Sequence, residues 1–177
     1  MSSGIITKIK LEPFLQEFLR GYYRCEEPIF KFPRYDNDDL GLALKFINLL
    51  TPSPRDFKPI NYYLDEFLIE VPEMHDRDPF YCNYISVIRN EKFVKKILEQ
   101  QKNHFHERLS ILRNDGYEYD DCVEIYMDEF KISTCFTDRL TKDYQRWRNR
   151  LRLQKFRKKS NRLESRFRPL VKRCETE

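Results

Sequence analysis

Glycine is scarce, with only 4 in 177 residues. Neither G-x-x-x-x-G-K-[ST] nor G-x-G-x-x-G occurs, so the backbone cradles that hold nucleotide phosphates are missing. The G-x-S-x-G nucleophile elbow is missing too. Cysteine is sparse and odd in number: Cys25, Cys82, Cys122, Cys135 and Cys174 lie far apart with no C-x-x-C pair. That excludes a zinc ribbon and a dense disulfide scaffold. The five read as reduced thiols of a cytoplasmic protein, with Cys82 and Cys122 packed as small hydrophobes. No apolar run approaches the ~18 residues of a membrane span. Met1 to Lys8 lacks the apolar run of a secretory leader. No Ser/Gly linker and no low-complexity segment is present. Wholesale disorder is excluded by 14 Phe and 11 Tyr, because disordered chains lack bulky apolar groups. What remains is one globular domain, or one domain with an appendage, and no membrane partner.

The chain does contain a marked separation of charge. It has 33 Lys and Arg against 29 Asp and Glu, a net of +4. From Asp138 to Glu177 there are 15 basic and 5 acidic residues, a net of +10. Residues 1 to 137 hold the other 18 basic and 24 acidic residues, a net of −6. Between Arg146 and Arg173 stand 13 basic residues opposed by Glu164 alone. Most of the 13 are Arg, whose planar fork matches phosphates and guanine edges. Solubility asks for mixed signs, so a one-signed segment points to a polyanion or an acidic partner.

Apolar spacing predicts a mainly helical chain. Leu11, Phe14, Leu15, Phe18, Leu19 and Tyr22 recur at helical intervals, with Pro13 in the first turn. A helix is expected from Leu40 to Leu50, capped by Asp39 and ended by Pro52 and Pro54. Two Pro-bounded runs, Pro28 to Pro33 and Phe67 to Pro72, read as short strands. Each is followed after six residues by an aspartate, Asp39 or Asp78, which implies a repeated strand–loop–helix unit. Lys31 and Glu70 occupy matching places and are expected to pair across a two-stranded element. From Pro79 to Arg113 nothing breaks a helix. Its stripe runs through Phe80, Tyr84, Val87, Glu91, Val94, Leu98, Gln101, Phe105, Leu109 and Leu112, with room for a kink near Asn90. That helix offers a surface for a homodimer. Asn114-Asp115-Gly116 stops it. The expected division is an acidic body over 1–116 and a basic unit over 117–177.

The basic unit starts with a helix from about Tyr119 to Phe130, striped by Val123, Tyr126, Met127 and Phe130. A turn follows, then Thr137 as N-cap and Asp138 at the positive end of the dipole. Leu140, Tyr144, Trp147 and Leu151 form the next stripe, in which Trp147 reads as core. The remaining faces carry Lys142, Gln145, Arg146, Arg148, Asn149, Arg150 and Arg152. A short helix, a turn and an amphipathic helix with an open basic face resemble the helix-turn-helix DNA-binding proteins of bacterial phages and mobile elements. The likeness covers about 32 of the 177 residues, Asp121 to Arg152. The turn is longer than usual in that group and lacks its glycine. The resemblance implies a non-enzymatic, regulatory DNA-binding protein with no cofactor.

The contacting residues are expected among Lys142, Gln145, Arg146, Arg148, Asn149, Arg150, Arg152, Lys155, Arg157, Lys158, Lys159 and Arg162. Arg and Lys meet phosphates, while Asn and Gln can pair with adenine and Arg with guanine. DNA is favoured over RNA. Two other readings remain open. One is a structural adaptor, such as a virion component, whose basic helix docks on an acidic protein. The other is a metal-dependent nuclease drawing on Asp36, Asp38 and Glu70. The loop with His75, Asp76 and Asp78 mirrors the one with Asp36, Asp38 and Asp39. Helix capping is the preferred reading of both, and no metal site is expected. His104 and His106 are two apart, a poor metal pair on a helix.

Overall fold

The computed structural model describes residues 5–33, 37–53, 66–72 and 78–174, with 159–174 described by backbone alone. The chain is mainly α-helical, with small β elements. In order it forms β1 (Ile6–Lys10), α1 (Pro13–Tyr22), β2 (Phe30–Lys31), α2 (Leu42–Leu49), β3 (Thr51–Pro52), β4 (Glu66–Glu70), β5 (Cys82–Tyr84), α3 (Val87–Asn114), α4 (Tyr119–Glu129), a 3-10 turn (Thr134–Phe136) and α5 (Thr137–Cys174). Two compact units divide at Phe136/Thr137. The boundary expected at Gly116 thus falls inside the first unit, because α4 packs against α3 there.

The strand pair expected from the Pro-bounded runs is present. β2 lies parallel to β4, with Phe30 opposite Ile69 and Lys31 opposite Glu70. The Lys31 ammonium stands 3.4 Å from the Glu70 carboxylate. The sheet is larger than the two strands expected. β1 pairs antiparallel with the other edge of β4, from Ile6 opposite Glu70 to Lys10 opposite Glu66. β3 and β5 form a separate pair. β4 sends Phe67 and Ile69 into the core. Phe30, Phe32, Phe46, Phe67 and Phe93 meet there, ring centroids 4.9–5.7 Å apart for the contacts Phe30–Phe32, Phe30–Phe67, Phe32–Phe46 and Phe46–Phe93. Burying each such ring contributes about 1.5–3 kcal/mol before entropy.

Three helix expectations change. α2 is capped by Asp38, not Asp39. The Asp38 carboxylate accepts the Ala43 N–H at 2.5 Å and the Leu40 N–H at 3.2 Å. The helix begins just after Gly41, whose φ of +62° is costly for other residues. The long helix starts at Val87, not Pro79. Asp78 accepts from the Phe80 N–H at 2.8 Å and closes a turn, the next residues join β5, and Ser86 becomes the N-cap. The repeated strand–loop–helix unit is therefore interrupted by β5. α3 has no kink at Asn90. Its buried face runs Asn90, Phe93, Ile97, Gln101, Phe105, Leu109 and Leu112, so its first half is rotated from the expected Glu91–Val94–Leu98 stripe. Phe93 on Phe46 and the Asn90 amide, which donates to the Lys10 carbonyl at 3.0 Å, fix that rotation.

A second aromatic cluster joins α1, α3 and α4. Phe18, Tyr22, His104, Tyr126 and Phe130 interlock, with His104–Phe130 at 5.0 Å and Tyr126–Phe130 at 4.7 Å between centroids. The expected α4 stripe is the one buried: Val123, Tyr126 and Met127 are almost fully covered.

Candidate nucleic-acid interface

α5 is a continuous helix from Thr137 to Cys174. Asp138 sits in its first turn, where a carboxylate favours the dipole. Of its apolar stripe, Leu140 and Tyr144 are buried, Trp147 is half-buried and Leu151 is exposed. Tyr144 and Trp147 pack ring against ring at 5.4 Å. The same helix leaves Lys142, Gln145, Arg146, Asn149, Arg150, Arg152, Lys155, Arg157 and Lys158 exposed, and Arg148 half-buried over the Tyr144 ring at 5.8 Å. Lys159 and Arg162 continue the helix, described by backbone alone.

Most of these cations fall on two faces. Arg146, Arg150 and Arg157 are spaced 0, 4 and 11, one side of a 3.6-residue helix. Arg148, Arg152 and Lys155 are spaced 0, 4 and 7, and lie on another. Between the two run Lys142, Gln145 and Asn149, spaced 0, 3 and 7. A row of hydrogen-bonding side chains is thus flanked by two rows of charge. Lys142 lies 3.8 Å from Asp138, one turn back. Among the described residues, Arg146, Arg148, Arg150, Arg152, Lys155, Arg157 and Lys158 form no ion pair with a carboxylate of the chain.

The first unit handles charge differently. A cleft of about 550 Å³ lies where α1 and α4 end, between Arg20, Arg24, Glu26, Glu129 and Lys131. Most of its charges are matched. Lys131 donates to Glu26 at 2.5 Å. Arg108 grips Glu129 through two nitrogens, Nε at 2.8 Å, which holds the guanidinium pKa above its ordinary value. Arg20 donates to the carbonyls of Glu27 and Pro28.

Among the acidic residues considered for a metal, Asp38 and Glu70 are engaged by other groups. Asp38 is buried and accepts from the Tyr23 hydroxyl at 2.6 Å as well as from its two helix amides. Glu70 faces Lys31. Asp36, His75 and Asp76 lie outside the described residues. No group of three or more His, Cys, Asp or Glu is placed to hold a metal among the described residues. His104 belongs to the aromatic cluster, and burial holds its imidazole below the ordinary pKa of 6.5. Among the described residues, no helix is long and apolar enough to cross a membrane.

Leu153 and Phe156 lie off the Leu140–Leu151 stripe. Both are well exposed on α5, Phe156 at 71%. Comparison with protein-family models, curated proteins and solved structures finds no match to this chain.

Proposed function

We propose that the chain is a nucleic-acid-binding protein, with DNA favoured over RNA, and that α5 is its contacting element. The observation that carries this is the double row of Arg and Lys, exposed except for the half-buried Arg148, with no ion pair to a carboxylate among the described residues. From Arg146 to Lys158 the helix rises about 18 Å. Duplex DNA offers roughly one phosphate charge per ~1.7 Å of axis, so several phosphates lie within reach of that length. Released counterions drive such binding. Gln145 and Asn149, set between the cationic rows, are the side chains best placed to read adenine edges, and Arg148 to read guanine. The helix-turn-helix likeness over Asp121 to Arg152 supports DNA and a regulatory role in a phage or mobile-element setting.

A gel-shift titration tests the reading. If about six phosphates are neutralised, log K falls against log[salt] with a slope near −5. Changing Arg146, Arg148, Arg150 and Arg152 together to Gln removes up to four contacts and should bring the slope to about −2. A flat salt response in the unaltered chain, or equal affinity in the variant, rejects α5 as the interface. Duplex RNA, run in parallel, should bind more weakly than duplex DNA.

A further inference from the structure

The distal half of α5 carries a second apolar row that a polyanion would leave in water. Leu153, Phe156, Ser160, Leu163, Phe167 and Leu170 are spaced 0, 3, 7, 10, 14 and 17. This is the alternating three-and-four step of heptad a and d positions, with an average period near 3.5. The backbone is helical throughout this stretch, and Leu153 and Phe156 are exposed, at 59% and 71%. Pro169 falls at a c position, off the row. The row is two positions in seven, the narrow seam of a coiled coil; a face that inserts into a bilayer surface is broader.

The charges beside the seam indicate what fits it. The g positions are Arg152, Lys159, Arg166 and Arg173, and the e positions are Arg157, Glu164 and Val171. A second copy is poorly matched. In a parallel pair Arg152 would face Arg157, Lys159 against Glu164 would be the one attractive pair, and two segments each of net +8 would repel; in an antiparallel pair g would face g, cation against cation. Residues 153–174 hold nine basic residues and one acidic.

We propose that residues 153–174 form half of a coiled coil whose other half is a helix of another protein, apolar at a and d and acidic at e and g. The seam supplies the affinity and the flanking cations select the partner. This does not rest on nucleic-acid binding: the seam is apolar, although Arg152, Arg157 and Lys159 beside it belong to both surfaces.

The test uses the full chain and a synthetic peptide of matching length with Ile at a, Leu at d and Glu at e and g. A scrambled peptide of the same composition serves as control. A one-to-one complex is expected by sedimentation equilibrium, with helicity above the sum of the parts. It should persist at about 0.5 M salt, where exposed charges are largely screened. The variant carrying Phe156→Gln and Leu163→Gln should bind the peptide at least about tenfold more weakly. That variant should keep the gel-shift salt slope of the unaltered chain, whereas a variant with only Arg146, Arg148 and Arg150 changed to Gln should keep peptide binding. Four outcomes overturn the proposal: no complex; equal binding of the scrambled peptide; dimerisation of the free chain that the double variant abolishes, which gives the seam to a second copy; or helix gain on anionic vesicles without peptide binding, which gives it to a membrane surface.

Discussion

At the scale of single residues, polar groups in the first unit are placed to hold structure. Asp38 accepts from two amides at the start of α2 and from the Tyr23 hydroxyl, and so ties α1 to α2. Its loss leaves three donors without a partner in a buried place. Asp38→Ala should lower stability by about 2–3 kcal/mol, the sum of a lost cap and unpaired buried groups. Tyr23→Phe removes one bond and should cost about 1 kcal/mol. Urea midpoints of both single variants and the double variant check this, and the double should be less destabilised than the two singles added. His104 gives a pH dependence. Tyr22 of α1 and Tyr126 of α4 crowd its ring, and burial lowers its pKa. Glu107 and Glu129 act against that lowering, and Arg108 adds to it. A lowered folded pKa means the unfolded chain binds the proton more tightly. The neutral ring therefore stabilises fully above about pH 6.5, the unfolded value, and less as pH falls from there through the folded pKa. Thermal midpoints should drop between about pH 7 and pH 5, and His104→Phe should flatten that part of the curve. An unchanged curve would remove the cluster as its source.

At the scale of elements, the contact between α1 and the end of α4 depends on a missing side chain. A Cβ on Gly21 would collide with the backbone carbonyl of Phe130, which cannot swing aside as a side chain can. Helix propensity alone makes Gly→Ala favourable by about 1 kcal/mol. Here Gly21→Ala should instead destabilise by about 1–3 kcal/mol, and denaturant unfolding reads the sign. The sequence does not announce that approach, because glycine near a helix end reads equally well as a stop. Elements whose order is set by their own spacing were legible: α1 with Pro13 in its first turn, the buried α4 stripe and α5; the distant Lys31–Glu70 pair was legible only because two Pro-bounded runs match each other. Elements set by distant partners were not. β1 buries Ile9 and exposes Lys8 and Lys10 as usual, but it buries Thr7 and leaves Ile6 exposed, so its first two residues depart from the apolar-in rule. β5 is three residues long and exists through pairing with β3. The first half of α3 turns to meet Phe46 and the Lys10 carbonyl, neither visible from Val87 onward in sequence. For the same reason the exposed cations of α5 were readable from one stripe, whereas the distal seam lies on a different face from that stripe and blurs any whole-helix pattern.

At the scale of the molecule, charge follows the division into compact units. The first unit, ending at Phe136, carries 18 basic and 24 acidic residues, a net of −6. The second carries +10. Nearly all of the buried apolar side chains, from Ile9 to Ile132, belong to the first unit, with Leu140 and Tyr144 in the second. A fragment ending at Phe136 should therefore unfold cooperatively, which a thermal melt in near-ultraviolet circular dichroism would show. Its interactions with polyanions should change in sign, not merely in strength. The whole chain should bind heparin and elute late in a salt gradient; the fragment should flow through and be retained by an anion exchanger at about pH 8, as its negative net charge demands. The four-Arg variant falls from a net charge of +4 to zero, +4 − 4, and should lose most of its heparin affinity if one helix surface is responsible. A fragment that still binds heparin would move the polyanion site into the acidic unit and leave α5 without its proposed role.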